Sequence, residues 1–252
     1  MSDLIVQFPD GKRVNLKKGI DLSIPLTNDA NNPRAWYVDV PKFEPVMENG
    51  WIGSVRDGGS VNFRNIFFNP HGHGTHTECL GHITPEVYSI NQYIDSFFAR
   101  AFLISVTPIQ EETENGLDDI ITNECFKNMP ACSKIEALII RTVPNDENKR
   151  VRNYSATNPP YLHLSCLKLF NKLGIKHLLI DLPSVDREQD GGKLAFHHAF
   201  WGVPENPIKE RTITEFVFVP NHVRDGEYLL NLQVAPFEND ASPSRPVIFP
   251  FE

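Results

Sequence analysis

The chain has 252 residues, and its 24 lysines and arginines against 32 aspartates and glutamates leave a formal net charge of −8. This acidic balance argues against nucleic acid or a membrane surface as a partner. Hydrophobic residues make up 40% and charged residues 22%, which excludes wholesale disorder, and no run reaches the roughly 18 apolar residues of a membrane-spanning helix. We expect residues 1–252 to form a single domain.

The N-terminal half of the chain predicts short strands joined by turns. Alternating apolar residues on both sides of the Asp10-Gly11 turn are typical of a β-hairpin. Further strands are expected at residues 20–26, 60–68 and 97–106. A segment rich in proline and tryptophan precedes residue 59, and it indicates an irregular loop that lies over another part of the molecule.

The pattern changes after residue 136. Apolar runs at residues 136–143 and 176–182 predict buried strands, and between them a helix is expected from Ser165 to Leu173, with Gly174 as its end. Strand, helix and strand of these lengths predict a βαβ unit with parallel pairing. With two more strands at 212–219 and 228–237, the fold class is α/β and rich in strands.

The cysteines indicate a reducing environment. The four, Cys79, Cys125, Cys132 and Cys166, form no CxxC pair and are too few for a disulfide framework in a chain of this length. The first residues lack the charged and then apolar form of a signal peptide. We therefore expect reduced thiols and a cytoplasmic protein, with Cys79 a buried and unreactive thiol.

One segment of twelve residues, 71–82, holds four of the nine histidines: His71, His73, His76 and His82. If residues 75–78 are extended, His76 and Glu78 point to the same face. Glycines at positions 72 and 74 would let the backbone bend so that either His71 or His73 reaches the same point. Imidazole with carboxylate suits zinc, manganese or iron. The alternative is a solvated polar loop.

Two later positions offer further ligands. In residues 212–219, a period of two places Glu215 beside Ile213 and Val217, and a carboxylate buried on that face would need a metal or a strong donor. The alternative is an edge strand with Glu215 in solvent. His197 and His198 are adjacent, so in an extended segment only one of them would face the site.

Signatures of other enzymes are absent from the sequence. It contains no G-x-S-x-G elbow, no H-E-x-x-H and no phosphate-binding G-x-x-x-x-G-K-[ST] loop. A serine hydrolase, a zincin and a P-loop enzyme are therefore disfavoured.

Three stretches, in order along the chain, resemble the cyclase family of metal-dependent hydrolases, which includes kynurenine formamidases and isatin hydrolase. Residues 74–82, Gly-Thr-His-Thr-Glu-Cys-Leu-Gly-His, are similar to the family signature H-x-G-T-H-x-D-x-P-x-x-H. Residues 21–26 resemble its opening D-[LI]-S strand, and residues 180–198, from Ile-Asp-Leu-Pro-Ser-Val-Asp to His-His, resemble its I-D-T-P-S-V-D … L-x-x-H-H block. The resemblance implies a swivelling β/β/α domain.

The resemblance also implies roles for individual residues. His76 matches a metal histidine, and Glu78 stands where the family has a metal-binding aspartate that can bridge two ions. His197 and Glu215 match ligands of the second metal position, and His82 matches the histidine of proton transfer. The family's first histidine would fall at position 72, which is glycine here, so His71 and His73 both remain candidates, with a slight preference for His71.

Together these features predict a metal-dependent amidohydrolase that acts on a small molecule. One or two divalent ions, zinc or manganese, would polarise a carbonyl and lower the pKa of a bound water, which attacks an amide, formamide, cyclic amide or lactone. No organic cofactor is expected. Relatives are commonly homodimers or homotetramers. The alternative is a member of the same fold that binds a ligand without metal or catalysis.

Overall fold

The computed structural model describes residues 3–114, 116–130 and 134–252. The strands among these residues are, in chain order, β1 (Ile5–Gln7), β2 (Arg13–Asn15), β3 (Ile20–Asp21), β4 (Lys42–Pro45), β5 (Met47–Glu48), β6 (Trp51–Ile52), β7 (Arg64–Phe67), β8 (His76–Glu78), β9 (Phe98–Val106), β10 (Ile109–Thr113), β11 (Gly116–Ile121), β12 (Ala137–Thr142), β13 (Tyr161–Leu162), β14 (His177–Ile180), β15 (Thr212–Glu215), β16 (Gly226–Asn231), β17 (Ala241–Pro243) and β18 (Val247–Pro250).

Helices are few and short in the described part of the chain. The α-helices are α1 (Ile90–Tyr93), α2 (Cys166–Leu173) and α3 (Ala195–Trp201). Single 3₁₀ turns occupy Val55–Asp57, Leu80–His82, Asn123–Phe126 and Glu147–Arg150. None of the described helices is long and apolar enough to cross a membrane.

A mixed sheet of nine strands organises the described residues, in the order β17-β8-β15-β14-β12-β9-β16-β18-β3. The four central strands β15, β14, β12 and β9 are parallel, whereas the strands on both flanks pair antiparallel. Alternate residues of β12 point to opposite faces, so Leu138 and Ile140 join the core cluster that contains residues of α2 and α3, and Ala137 and Ile139 join the other core. Both faces of the central sheet are therefore covered by apolar side chains.

Several sequence predictions are confirmed. The N-terminal hairpin is present as β1 paired with β2. The βαβ unit is present as β12, α2 and β14, whose strands pair in parallel, and α2 ends at Gly174 in the left-handed conformation with φ of 74°. The architecture is mixed α/β and strand-rich, as expected.

Other predicted strands are shorter than expected. The strand predicted at 212–219 ends at Glu215, because Phe216 takes a positive φ of 55° that interrupts the extended backbone. Similarly, only Arg64–Phe67 of residues 60–68 is a strand. Cys79, Cys125 and Cys166 are free thiols, and Cys132 lies outside the described residues.

Candidate metal centre

The histidine-rich segment enters the sheet as β8, and its extended backbone places His76 and Glu78 on one face, as predicted. Both side chains are fully buried. The ring of His76 is oriented by its own loop, because Nδ1 lies 2.9 Å from the Gly74 carbonyl oxygen, which can only accept. The proton of His76 is therefore on Nδ1, and the lone pair of Nε2 points into the cluster.

Glu215 lies directly across the antiparallel pair from His76. Its carboxylate is buried, and Oε2 is 3.5 Å from His76 Nε2. Oε1 accepts a hydrogen bond of 3.1 Å from the Val185 backbone N–H. The strand register therefore sets an imidazole and two carboxylates on one buried face.

His197 reaches the cluster from α3 and is not in an extended segment. Its Nδ1 is 2.6 Å from Asp186 Oδ2, and its Nε2 is 3.0 Å from Glu78 Oε1. Asp186 also accepts the backbone N–H groups of Phe196 and His197, so it caps the helix and orients the ring. His198 lies on another side of the helix, with Nδ1 near the Val203 carbonyl oxygen.

The loop before β8 brings His71, and not His73, to the cluster. His71 Nδ1 is 3.0 Å from Glu78 Oε2. His73 is buried elsewhere, where Nδ1 accepts from the Asn69 backbone N–H at 2.7 Å and Nε2 donates to the Asp39 carbonyl. Both nitrogens of His73 are therefore occupied, which leaves it no free lone pair for an ion.

His82 follows β8 in a 3₁₀ turn and stacks on His71, with the ring centroids 4.2 Å apart. Its Nε2 is 3.9 Å from Glu78 Oε2, and its Nδ1 is 3.5 Å from Asp240 Oδ2. The same oxygen of Asp240 is 2.7 Å from His71 Nε2. Asp240 was not among the residues predicted from the sequence. No local motif surrounds it, and only its pairing beside β8 brings it to the site.

The charges of the cluster are strongly coupled. Burial raises the pKa of Glu78, but His82, His197 and His71 outweigh it and hold the pKa well below its usual range. Burial and the neighbouring Glu78 raise the pKa of Glu215. Burial lowers the pKa of His197, but Asp186 and Glu78 reverse the effect and raise it to about 10. The carboxylates therefore favour additional positive charge in the cluster.

The donor set fits a divalent transition metal. Two ligands bound to one ion at about 2.0–2.2 Å lie roughly 3–3.5 Å apart, and His71 Nδ1–Glu78 Oε2, His197 Nε2–Glu78 Oε1 and His76 Nε2–Glu215 Oε2 are separated by 3.0, 3.0 and 3.5 Å. His76 Nε2 and Glu78 Oε2 are buried without a hydrogen-bond partner. Such atoms are costly unless something else satisfies them, and a cation does.

A cavity of about 290 Å³ opens onto the cluster. His71, His82, His197 and Glu215 line it from the side of the candidate metal centre, together with Trp36, Asn69, Ser184, Arg187, Glu188, Asp190 and Leu194. A larger cavity of about 470 Å³ lies on the other side of the loop, where His73 lines it. Of these two cavities, the smaller one is lined by three of the clustered imidazoles, those of His71, His82 and His197.

Two further residues of the stretches that resemble the family, Asp181 and Cys79, have structural roles. Asp181 is buried and accepts hydrogen bonds from Thr142 and Lys149, so it stabilises the ends of β12 and β14. Cys79 is fully buried, and this burial raises the pKa of its thiol to about 11, which agrees with an unreactive cysteine.

Sequence comparison finds that the Putative cyclase family model matches residues 20–187. Kynurenine formamidases from Bacillus cereus and Bacillus anthracis are each 28% identical over 235 residues, which is 92% of this chain and 97% and 98% of theirs. The similarity therefore extends over almost the whole length of both proteins.

Solved structures share the fold. An isatin hydrolase bound to the product analogue thioisatinate superposes with a TM-score of 0.64 at 14% identity, covering 93% of each chain. A predicted metal-dependent hydrolase from Bacillus stearothermophilus gives a TM-score of 0.62 at 15% identity, covering 92% of this chain and 98% of the other. At such identities the agreement concerns the fold.

Proposed function

The chain belongs to the Putative cyclase family, as its motifs predicted, and we propose that it is a metal-dependent amidohydrolase of small molecules. The bond cleaved is an amide, with formamides and cyclic amides as the first candidates. This choice is supported by the similarity to kynurenine formamidases over 92% of the chain and by the likeness in fold to isatin hydrolase.

The observation that carries the proposal is the pair of unsatisfied buried atoms in the cluster. His76 Nε2 and Glu78 Oε2 are buried without a hydrogen bond of good geometry. His76 Nε2 lies 3.5 Å from Glu215 Oε2, and Glu78 Oε2 lies 3.0 Å from His71 Nδ1. His197 Nε2 lies 3.0 Å from Glu78 Oε1 and completes the set of five side chains. A ligand-binding protein without metal would have to keep His76 Nε2 buried and unpaired, at a cost of about 1–3 kcal/mol, and would have to satisfy Glu78 Oε2 with a protonated His71, whose Nδ1 lies 3.0 Å away. The five side chains therefore favour a metal centre over a metal-free binding site.

The five side chains would hold zinc or manganese, as one ion or two. When bound, a divalent ion supplies polarisation of the substrate carbonyl and a lowered pKa for water. The protein holds its ligands in place through acceptors behind the rings: the Gly74 carbonyl behind His76 and Asp186 behind His197. These bonds place the ring protons away from the cluster and leave a lone pair of each ring for the ion.

His82 is suited to move a proton during the reaction. It lines the cavity, and 29% of its side chain is exposed, whereas Glu78 and His76 are almost completely buried. Its Nε2 faces the cluster and lies 3.9 Å from Glu78 Oε2. His82 is therefore close enough to contact a substrate that is bound at the metal centre. We assign His82 to protonation of the leaving nitrogen.

The substrate cavity accommodates a compact molecule. Its volume of about 290 Å³ is at the lower end of the usual range for small-molecule sites. Trp36 offers an aromatic surface on one side of it. Arg187 also lines the cavity but is held by Asp118 through two hydrogen bonds of 2.9 and 3.2 Å, so its charge is already balanced. A neutral aromatic formamide or cyclic amide therefore suits this cavity.

The test is metal content together with hydrolysis by the purified protein. Protein reconstituted with zinc or with manganese is assayed on N-formylkynurenine, a simple aryl formamide and isatin. We expect stoichiometric metal and turnover of at least one amide, and loss of both in Glu78→Gln. Glu238→Gln is the matched control, because Glu238 is an exposed carboxylate that contacts Asn91 and Gln92 outside the cluster.

Two results would contradict the proposal. Wild-type protein that stays free of zinc and manganese at micromolar concentrations would argue for the metal-free binding protein. If the Glu78→Gln variant kept its full metal content, the ion would have to be held elsewhere in the protein.

A further inference from the structure

We propose that Asp240 is a positioning residue that orients two imidazoles at once, the metal-binding His71 and the proton-transferring His82. The inference rests on the proposed function of the same site. It adds a residue that directly precedes β17, far along the chain from the histidine-rich segment.

The first argument is the geometry of the carboxylate. Oδ2 of Asp240 is 2.7 Å from His71 Nε2 and 3.5 Å from His82 Nδ1. A carboxylate only accepts hydrogen bonds, so His71 donates its Nε2–H to Oδ2, and His82 turns Nδ1 toward the same oxygen in a longer contact. When the rings are neutral, as an imidazole is when it binds a metal, the second nitrogen of each ring, Nδ1 of His71 and Nε2 of His82, carries the lone pair, and both of these nitrogens face Glu78.

The second argument is that the backbone places Asp240 independently of its side chain. The Asp240 carbonyl oxygen accepts from the Cys79 backbone N–H at 3.0 Å, and the next residue, Ala241, pairs with Glu78 in the sheet. Gly81 allows this close approach, because a Cβ at that position would lie 3.2 Å from Asp240 Cβ and 2.3 Å from the Tyr88 carbonyl oxygen.

The third argument is the absence of another task for the side chain. Within the described residues, its hydrogen bonds and ion pairs are made with His71 and His82 alone. A carboxylate placed only to stabilise the fold would be expected to cap backbone amides, as Asp190 does just before α3. Asp240 thus completes a common arrangement: His76, His197 and His71 each turn one nitrogen toward an oxygen acceptor and the other toward Glu78 or Glu215.

Asp240→Asn tests the inference, with Glu238→Gln as the control two residues away. Zinc affinity is measured by competition with a chelator. The stability of the metal-free proteins is measured by urea unfolding, and the imidazole tautomers of the zinc-loaded proteins are determined by ¹⁵N NMR. We expect Asp240→Asn to bind zinc about 10–100-fold more weakly, to lower kcat with little change in KM, and to unfold close to wild type.

The NMR spectra report the orientation directly. Wild-type protein should show His71 protonated on Nε2 and His82 protonated on Nδ1, and both signals should change in Asp240→Asn but not in Glu238→Gln. The asparagine variant keeps the size of the side chain and the backbone bond to Cys79, so it tests the inference even if Asp240→Ala fails to fold.

The outcomes separate this inference from the proposed function. If wild-type protein binds zinc and hydrolyses an amide but Asp240→Asn has the same zinc affinity, kcat and tautomers, the positioning role is wrong and the hydrolase stands. Lost stability at unchanged zinc affinity would also overturn it, because Asp240 would then serve the fold. Wild-type protein that binds no metal would remove the proposed function and this inference with it.

Discussion

Replacing Asp186 by asparagine should weaken both the fold around α3 and the candidate metal centre. Asp186 accepts three hydrogen bonds, of 2.7 Å from the Phe196 backbone N–H, 3.0 Å from the His197 backbone N–H and 2.6 Å from His197 Nδ1. Asparagine has one oxygen, so its NH₂ group must face at least one of these donors. The variant therefore loses the charge and leaves a buried donor without an acceptor.

The magnitude follows from these contacts. Asp186 is 6% exposed, and a hydrogen bond to a buried charged group contributes about 1.5–3 kcal/mol. We expect Asp186→Asn to lower the free energy of unfolding of the metal-free protein by about 2–3 kcal/mol. Because the acceptor behind His197 is weakened, zinc affinity should fall about 10–100-fold. Urea unfolding and chelator competition measure the two effects separately.

Asp190→Asn provides a matched control for this experiment. Asp190 also accepts backbone N–H groups just before α3, those of Gly192, Lys193 and Leu194, but its side chain contacts no histidine of the cluster. It should lose stability and keep wild-type zinc affinity. The reasoning would be refuted if Asp186→Asn bound zinc like wild type, or if Asp190→Asn lost zinc affinity to the same extent.

The remaining predictions concern three further sites. His71→Ala should abolish stoichiometric zinc, measured by elemental analysis, whereas His73→Ala should keep the zinc and lose about 1–3 kcal/mol of stability through its broken loop contacts; equal zinc in both would contradict the assignment. His82→Ala should retain zinc and lower kcat by about 10²–10⁴-fold, and loss of the metal would make His82 a ligand. Burial raises the pKa of Asp118, but Arg187 outweighs it and lowers the pKa to about 2. This pKa is below the unfolded value of about 3.9, so the ion pair stabilises the protein above about pH 4. The stability difference between wild type and Asp118→Asn should therefore shrink as the pH falls toward 2. A difference in urea midpoints that stays constant with pH would contradict this prediction.

The sequence by itself determined the features that depend on local periodicity. The βαβ unit at residues 136–182 was predictable from short segments of the chain. The apolar runs indicate buried strands, and Gly174 indicates the end of the helix. The shared face of His76 and Glu78 followed in the same way from the period of a strand, and so did the shared face of Glu215 and Ile213, although the burial of that face was left open. These properties require no knowledge of which strands are neighbours.

Only the tertiary structure decided which side chains meet. The sequence leaves both His71 and His73 as candidates, with only a slight preference for His71. The choice depends on the partners of His73, Asn69 and Asp39, which hold it away from the cluster. Asp240 has no local signal and reaches His82 through the pairing of β17 with β8. The physical reason is that hydrogen-bond partners and strand register join residues far apart in the chain, whereas the pattern of a single segment specifies only its own conformation and buried face.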